Sequence, residues 1–148
     1  MLCFFIGHRN ATTQLMPQLE TAIKKHICDY SVTDFVVGQY GAFDRMAARA
    51  VINAKKIFPE ISLSILLPYH PAECKIHAPE GYDSTFYPPG LELVPRRLAI
   101  VRANQYMIMH SNYLIAYAWQ PGSNAKHLLD YAKSRENKKA LSQQMVDF

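Results

Sequence analysis

The chain has 148 residues, 49% of them hydrophobic and 19% charged, with a formal net charge of +4. A single domain's length with that much apolar content excludes a wholly disordered chain, and no apolar run approaches the roughly 20 residues that cross a bilayer. The charge suits a phosphate-bearing ligand and is too small by itself to imply nucleic acid.

Leu2 to Ile6 is an all-apolar run that reads as a first strand. The start is too short for a signal peptide and lacks a basic lead and a small-residue cleavage site, so a cytoplasmic protein is expected. Cys3, Cys28 and Cys74 are odd in number without paired spacing, which points to reduced, mostly buried thiols. Gly7-His-Arg-Asn10 leaves the strand. Thr12 or Thr13 then caps a helix with Leu15, Leu19, Ile23 and Ile27 on one face, Pro17 being tolerable in its first turn.

A second unit follows the same plan. Asp34 to Val37 is a short β-branched and aromatic strand, interrupted by Gly38 and Gly41. Asp44 is a candidate N-cap for a helix bearing Met46, Ala47, Ala50, Val51, Ala54 and Ile57, which stops at Pro59. Ile61 to Leu67 is a third apolar run and ends at Pro68. The segment 69–90 is different: it is rich in proline and aromatics, has no clear period, and reads as a long loop inside the domain.

Pro95 opens a helix to about His110 with Arg96, Arg97 and Arg102 along it, and Tyr113 to Ala118 is the next strand. Gln120-Pro-Gly-Ser-Asn124 turns into a helix bearing Ala125, Leu128, Leu129 and Ala132. The tail, 137–148, either adds an edge strand or lies against a partner. Apolar strands separated by amphipathic helices predict an α/β fold: one Rossmann-like, doubly wound domain over 1–148, with a mainly parallel sheet and helices on both faces.

In such a sheet ligands sit outside the carboxyl ends of the strands, where strand order reverses. Three glycine junctions, at Gly7, at Gly38 to Gly41 and at Gly122, fall at carboxyl strand ends. If the first, second and Tyr113 strands are neighbours, these junctions line one crevice. Helix N-termini with Arg9, Ser123 and Asn124 suit a phosphate, and Tyr40 or Phe43 suits stacking on a base. Gly41 stands where backbone is expected to pass closest to that phosphate. His8 is either a proton donor or phosphate ligand, or is hydrogen-bonded to a turn.

Gly7-His-Arg9, Gly38-x-x-Gly-Ala-Phe-Asp-Arg45, Arg102-x-Asn104 and Pro121-Gly-Ser-Asn124 together resemble the bacterial SLOG superfamily, which includes YpsA-like, LOG and DprA proteins. The resemblance covers nearly the whole chain and is greatest to a small YpsA-like group. It implies a nucleotide or nucleotide-derived ligand held by Gly7, His8, Arg9, Gly38, Tyr40, Gly41, Phe43, Asp44, Arg45, Arg102, Pro121, Gly122, Ser123 and Asn124. LOG enzymes, phosphoribohydrolases, carry Pro-Gly-Gly-x-Gly-Thr-x-x-Glu; this chain has Ser123, Ala125, Lys126 and Leu129 where that motif has its second and third glycines, threonine and glutamate. Glycosidic cleavage needs a carboxylate beside the ribose. The resemblance therefore favours a binding module, with a LOG-like hydrolase using Asp44 as catalytic carboxylate, or Glu92 in its place, as the alternative.

His70-x-x-Glu73-Cys74-x-x-His77 gathers metal-ligand types in a spacing that fits no standard zinc site, and neither a metal nor a cofactor is expected. Arg96, Arg97, Arg102, Lys55, Lys56, Lys138 and Lys139 read as solvated helix faces. DprA-like single-stranded DNA binding is the alternative there, but no run of aromatics interleaves with the basic residues. The expected partner is a nucleotide-like small molecule, with homo-oligomerisation open and nucleic acid disfavoured.

Overall fold

The computed structural model describes residues 1–72 and 78–135, and the backbone of 142–145. Six strands form one sheet in the order β4-β3-β2-β1-β5-β6, and every pairing is parallel. The strands are β1 (Leu2–Gly7), β2 (Asp34–Val37), β3 (Ser62–Leu66), β4 (Ser84–Phe86), β5 (Tyr113–Tyr117) and β6 (Ser142–Met145). Among the described residues four α-helices cover it: α1 (Met16–Tyr30), α2 (Ala42–Lys55), α3 (Ala99–His110) and α4 (Asn124–Arg135). This is the Rossmann-like arrangement expected from the sequence.

Side chains alternate across a strand, so each central strand contributes to two cores. Cys3, Phe5, Phe35, Val37, Leu63 and Ile115 face α1 and α2, with Leu19, Ile23, Ala47 and Val51 of those helices against them. Phe4, Ile6, Val36, Leu114 and Ala116 face the other way, toward Ala103, Met107, Ala125 and Leu129 of α3 and α4. The rings of Phe5 and Phe35 stack with centroids 5.9 Å apart across the β1–β2 pair. Truncating either removes a fully buried ring, a loss of about 3–5 kcal/mol.

Several local expectations change. The segment 69–90 contains the edge strand β4, which pairs with β3 through Ser64↔Ser84 to Leu66↔Phe86. The tail supplies β6, in register with Tyr113 to Ala116. Asp44 is not the cap of α2: Gly41 holds that position, and Asp44 lies in the first turn. Ile57 falls beyond the end of α2 and is 71% exposed. Cys28 is exposed, whereas Cys3 is buried and its thiol pKa is raised by desolvation. Of the cysteine- and histidine-bearing stretch, Glu73, Cys74 and His77 lie outside the described residues. Among the described residues no group of three or more His, Cys, Asp or Glu side chains could hold a metal ion, and no helix is long and apolar enough to cross a membrane.

Candidate functional site

The chain runs outward from β1 through β2, β3 and β4, then returns to β5 on the other side of β1. Strand order therefore reverses between β1 and β5, where two successive loops part and leave a gap at the carboxyl edge. A crevice of about 390 Å³ occupies that place. Gly7 to Asn10 after β1, Gly38, Tyr40 and Asp44 after β2, and Gln120, Ser123 and Asn124 after β5 all line it. The crevice continues inward between α3 and α4, past Ile100, Ala103, Leu128 and Tyr131. One end is thus polar and built on backbone turns, and the other is an apolar slot. The carboxamides of Asn10, Asn104, Gln105, Gln120 and Asn124 stand among its lining.

The polar end is held by four connections. His8 is buried, with 4% exposure, although it lies at a strand end. Its Nε2 accepts the backbone N–H of Trp119 at 3.0 Å and of Gln120 at 3.3 Å. Two amide donors on Nε2 put the ring proton on Nδ1 and make the neutral imidazole the functional form. The rings of Tyr117 and Trp119 meet it edge-on, at 5.3 and 5.6 Å. Burial lowers its pKa, in keeping with that role. Of the two readings of His8, the structure shows the hydrogen-bonded one, tying the loop after β1 to the loop after β5.

The second connection is at Gly41. Its φ of 109° and ψ of 177° lie in a region essentially reserved for glycine. A Cβ there would stand 2.6 Å from Cα of Arg9. The amide of Ala42 donates to the Arg9 carbonyl at 2.9 Å. Gly41 therefore presses against the neighbouring junction, where a phosphate had been expected. It acts on the site by setting the backbone of Arg9, whose exposed side chain borders the crevice.

The third is Asp44, whose Oδ2 accepts the Tyr40 amide at 3.0 Å. A Cβ on Gly38 would come within 2.8 Å of that oxygen, so only glycine leaves room for the carboxyl. Burial pushes the Asp44 pKa up to about 7, against the opposing pull of the Tyr40 amide, Arg45 and Arg9. Tyr82, from the segment before β4, has its own pKa raised by burial and by the charge of Asp44. The fourth connection is Ser123, whose Oγ accepts the Lys126 amide at 3.1 Å and donates to the Gln120 carbonyl at 2.8 Å. It caps α4 and fixes the first turn of that helix at the crevice.

Of the residues expected from the sequence, Gly7, His8, Arg9, Gly38, Tyr40, Asp44, Ser123 and Asn124 come together here. Phe43 does not: it is 1% exposed, lies against the Gly7 backbone and stacks on Tyr117 at 6.3 Å. Its position in the first turn of α2 turns it into the core, leaving Tyr40 at the crevice. Gly41, Arg45, Arg102, Pro121 and Gly122 do not line it, and Arg45 and Arg102 are exposed on their helices. Leu129, at the place of the LOG glutamate, is 1% exposed in the core of α4. Asp130 beside it pairs with Lys126 at 3.1 Å. Asn104, Gln105 and His127 were not among the expected site residues, because only the packing of α3 beside α4 brings them to the crevice.

A second, smaller cleft of about 240 Å³ adjoins the first, with Pro68 in both walls. Tyr69, His70, Tyr87, Glu92 and Arg96 line it. The Arg96 guanidinium lies 4.2 Å from the centroid of Tyr69, and His70 meets Tyr87 edge-on at 5.3 Å. Glu92 belongs to this cleft and not to the crevice.

No family model matches the sequence, and no curated protein matches it. Among solved structures, DNA processing protein A from Helicobacter pylori, studied for its unique single-stranded DNA binding mode, has a similar fold at a TM-score of 0.61 and 15% identity. The likeness covers 97% of this chain and 64% of the other, so this chain spans under two thirds of that protein's length. It establishes a shared Rossmann-like fold with DNA processing protein A, and it corrects the expectation against nucleic acid, since a single-stranded DNA binder has this fold. Aromatic and basic side chains do not interleave along the sequence, yet Tyr69, Tyr87 and Arg96 meet in one cleft.

Proposed function

We propose that the crevice binds a nucleotide unit, and that this unit belongs to a single strand of DNA. The observation that carries this is that Arg9 and the capped first turn of α4 line one crevice at the strand-order reversal, and that the same crevice runs into an apolar slot. A phosphate there receives a guanidinium and the positive end of a helix dipole. The slot between α3 and α4 takes the base; Gln105 and Gln120 line the crevice, as does Asn104, whose Nδ2 donates to the Ile100 carbonyl at 2.8 Å. The fold shared with DNA processing protein A supports a strand over a free nucleotide. The YpsA-like grouping and a free-nucleotide sensor remain the finer alternatives within this reading.

Titration of a labelled oligodeoxythymidylate of about ten nucleotides, within the span single-strand sites commonly occupy, tests the proposal by fluorescence anisotropy. Displacement by excess mononucleotide is the expected result. Absence of binding to both, at low salt, contradicts it.

The second reading is hydrolysis of an N-glycosidic bond, favoured by one observation. Asp44, lining the crevice, has its pKa raised to about 7 and so is partly protonated near neutrality, as a general acid requires. Incubation with nucleoside monophosphates followed by chromatography for free base separates the two. Base release abolished in Asp44→Asn supports hydrolysis, and binding without release leaves the first reading in place.

A further inference from the structure

We infer that the second cleft is a stacking site for the base of a neighbouring nucleotide on the strand whose phosphate sits at Arg9. The inference rests on the proposed function of the crevice and adds a site to it. Four observations carry it.

The two cavities are contiguous. Pro68 is part of both walls, and the consecutive residues Ala99 and Ile100 at the start of α3 line the cleft and the crevice respectively. Pro68 and Ala99 are themselves buried, so the two cavities lie side by side across them. The cleft is also too small for a second whole nucleotide: about 240 Å³ lies below the roughly 300–1,000 Å³ of ordinary ligand pockets. It suits one planar ring system.

Its walls offer ring faces. Tyr69 and Tyr87 are part-buried and His70 is exposed. The Arg96 guanidinium carbon lies 4.2 Å from the Tyr69 ring centroid, so the cation and the ring form one unit of the wall. Aromatic rings joined to arginine are the sequence-tolerant means by which proteins hold unpaired bases.

The charges also distinguish base from phosphate. Glu92 lines the cleft and repels a phosphate from its interior, whereas an uncharged base is admitted. Arg96 and Arg97 are exposed at the approach to α3 and leave the strand's next phosphate a cationic rim. The crevice has Arg9 at its polar end, together with the Asp44 carboxyl that the Tyr40 amide holds. The crevice takes a phosphate with its own base, and the cleft takes a ring alone.

The test uses Tyr69→Ala, Tyr69→Phe and Arg96→Gln in the full chain, with Arg9→Ala as the crevice control. Each is titrated with the labelled oligodeoxythymidylate and, by competition, with thymidine monophosphate, and each is melted to verify folding. Tyr69→Ala and Arg96→Gln are expected to weaken oligonucleotide binding roughly 5- to 150-fold, the range that loss of one base stack covers. Mononucleotide affinity stays as in wild type, and Tyr69→Phe, which keeps the ring, restores the oligonucleotide affinity. Unchanged oligonucleotide binding in both Tyr69→Ala and Arg96→Gln overturns the inference while leaving the crevice reading intact. Equal losses for oligonucleotide and mononucleotide overturn it as well, since the cleft would then act only through the crevice. Failure of the crevice reading looks different: Arg9→Ala binds both ligands as wild type does.

Discussion

The crevice and the cleft share Pro68 but are held together by different forces. The crevice is a construction of backbone: its turns are pinned by His8 to Trp119, by Ala42 to Arg9, by Tyr40 to Asp44 and by Lys126 to Ser123, all of them hydrogen bonds from main-chain amides. The cleft is a construction of side chains, with Arg96 over Tyr69 and His70 against Tyr87, carried on loop segments far apart in sequence. Backbone turns belong to the folded unit, so damage to the turns of the crevice should lower stability and binding together. Side-chain platforms at the surface are separable from folding, so damage to the cleft should lower binding alone. The following variants test that contrast.

The largest effect is expected at Gly41. Gly41→Ala forces a side chain into a glycine-only conformation and against Cα of Arg9. The cost is about 1–3 kcal/mol, read as a fall in Tm of about 3–10 °C. Because Arg9 is the group displaced, oligonucleotide affinity should fall as well. A normal melt with normal binding would show that the two junctions do not depend on each other.

Next is His8. His8→Leu removes the acceptor and leaves the amides of Trp119 and Gln120 without it, a cost of about 1–3 kcal/mol. The sign of the pH effect follows from a pKa lowered by burial. Above the ordinary histidine pKa of about 6.5 both folded and unfolded forms are neutral, and stability is fully present. As pH falls below that value the unfolded chain takes the proton first, and stability is lost. His26 has its pKa lowered too, by burial first, and titrates in the same direction. His8→Gln offers an uncharged acceptor and isolates the part that belongs to His8. A shallower loss of both Tm and binding between pH 7 and 5, windows set by the cited direction, is expected for that variant. An acid profile equal to wild type would remove His8 from the account of the crevice.

Ser123→Ala deletes the cap of α4 and should cost about 1 kcal/mol, seen in Tm. Binding should weaken by a similar factor if the first turn of α4 holds the phosphate. At Asp44 the expected change lies in the pH dependence of stability. A carboxyl whose folded pKa is raised from 3.8 to about 7 contributes stability that is complete below 3.8 and is lost as pH rises through about 7. Asp44→Asn should lack that part of the pH dependence, which urea denaturation at pH 5 and pH 8 measures. An equal slope in the two proteins would place the burial of Asp44 in doubt.

The same contrast explains what the sequence made legible. Leu2 to Ile6, Asp34 to Val37 and Tyr113 to Ala118 are contiguous apolar runs closed by glycine or by a turn, and a local pattern suffices to read them. Their junctions then had to meet once β1 lay between β2 and β5. What depends on phase or on distance was not legible. Tyr40 and Phe43 are both aromatic and three residues apart, and only the start of α2 at Ala42 decides that Phe43 turns inward. The cap fell to Gly41 and not to Asp44, although both types are preferred there, and the closeness of Arg9 to Gly41 is visible only in the fold. Strand β4 has three residues in a proline-rich segment, too few for a period to appear. The cleft joins positions 69–70, 87, 92 and 96 through tertiary packing, so no spacing along the chain announces it.

The central claim is that Arg9 holds a phosphate of a bound strand, and the salt dependence of binding tests it most directly. Oligodeoxythymidylate affinity should be measured by anisotropy across a salt series for wild type and Arg9→Ala. Each phosphate contact on a single strand contributes about −0.7 to the slope of log K against log salt. The account predicts that Arg9→Ala weakens binding at low salt by about tenfold or more and lowers the slope by about one contact, with Tm unchanged. Equal slopes and equal affinities for the two proteins would contradict it.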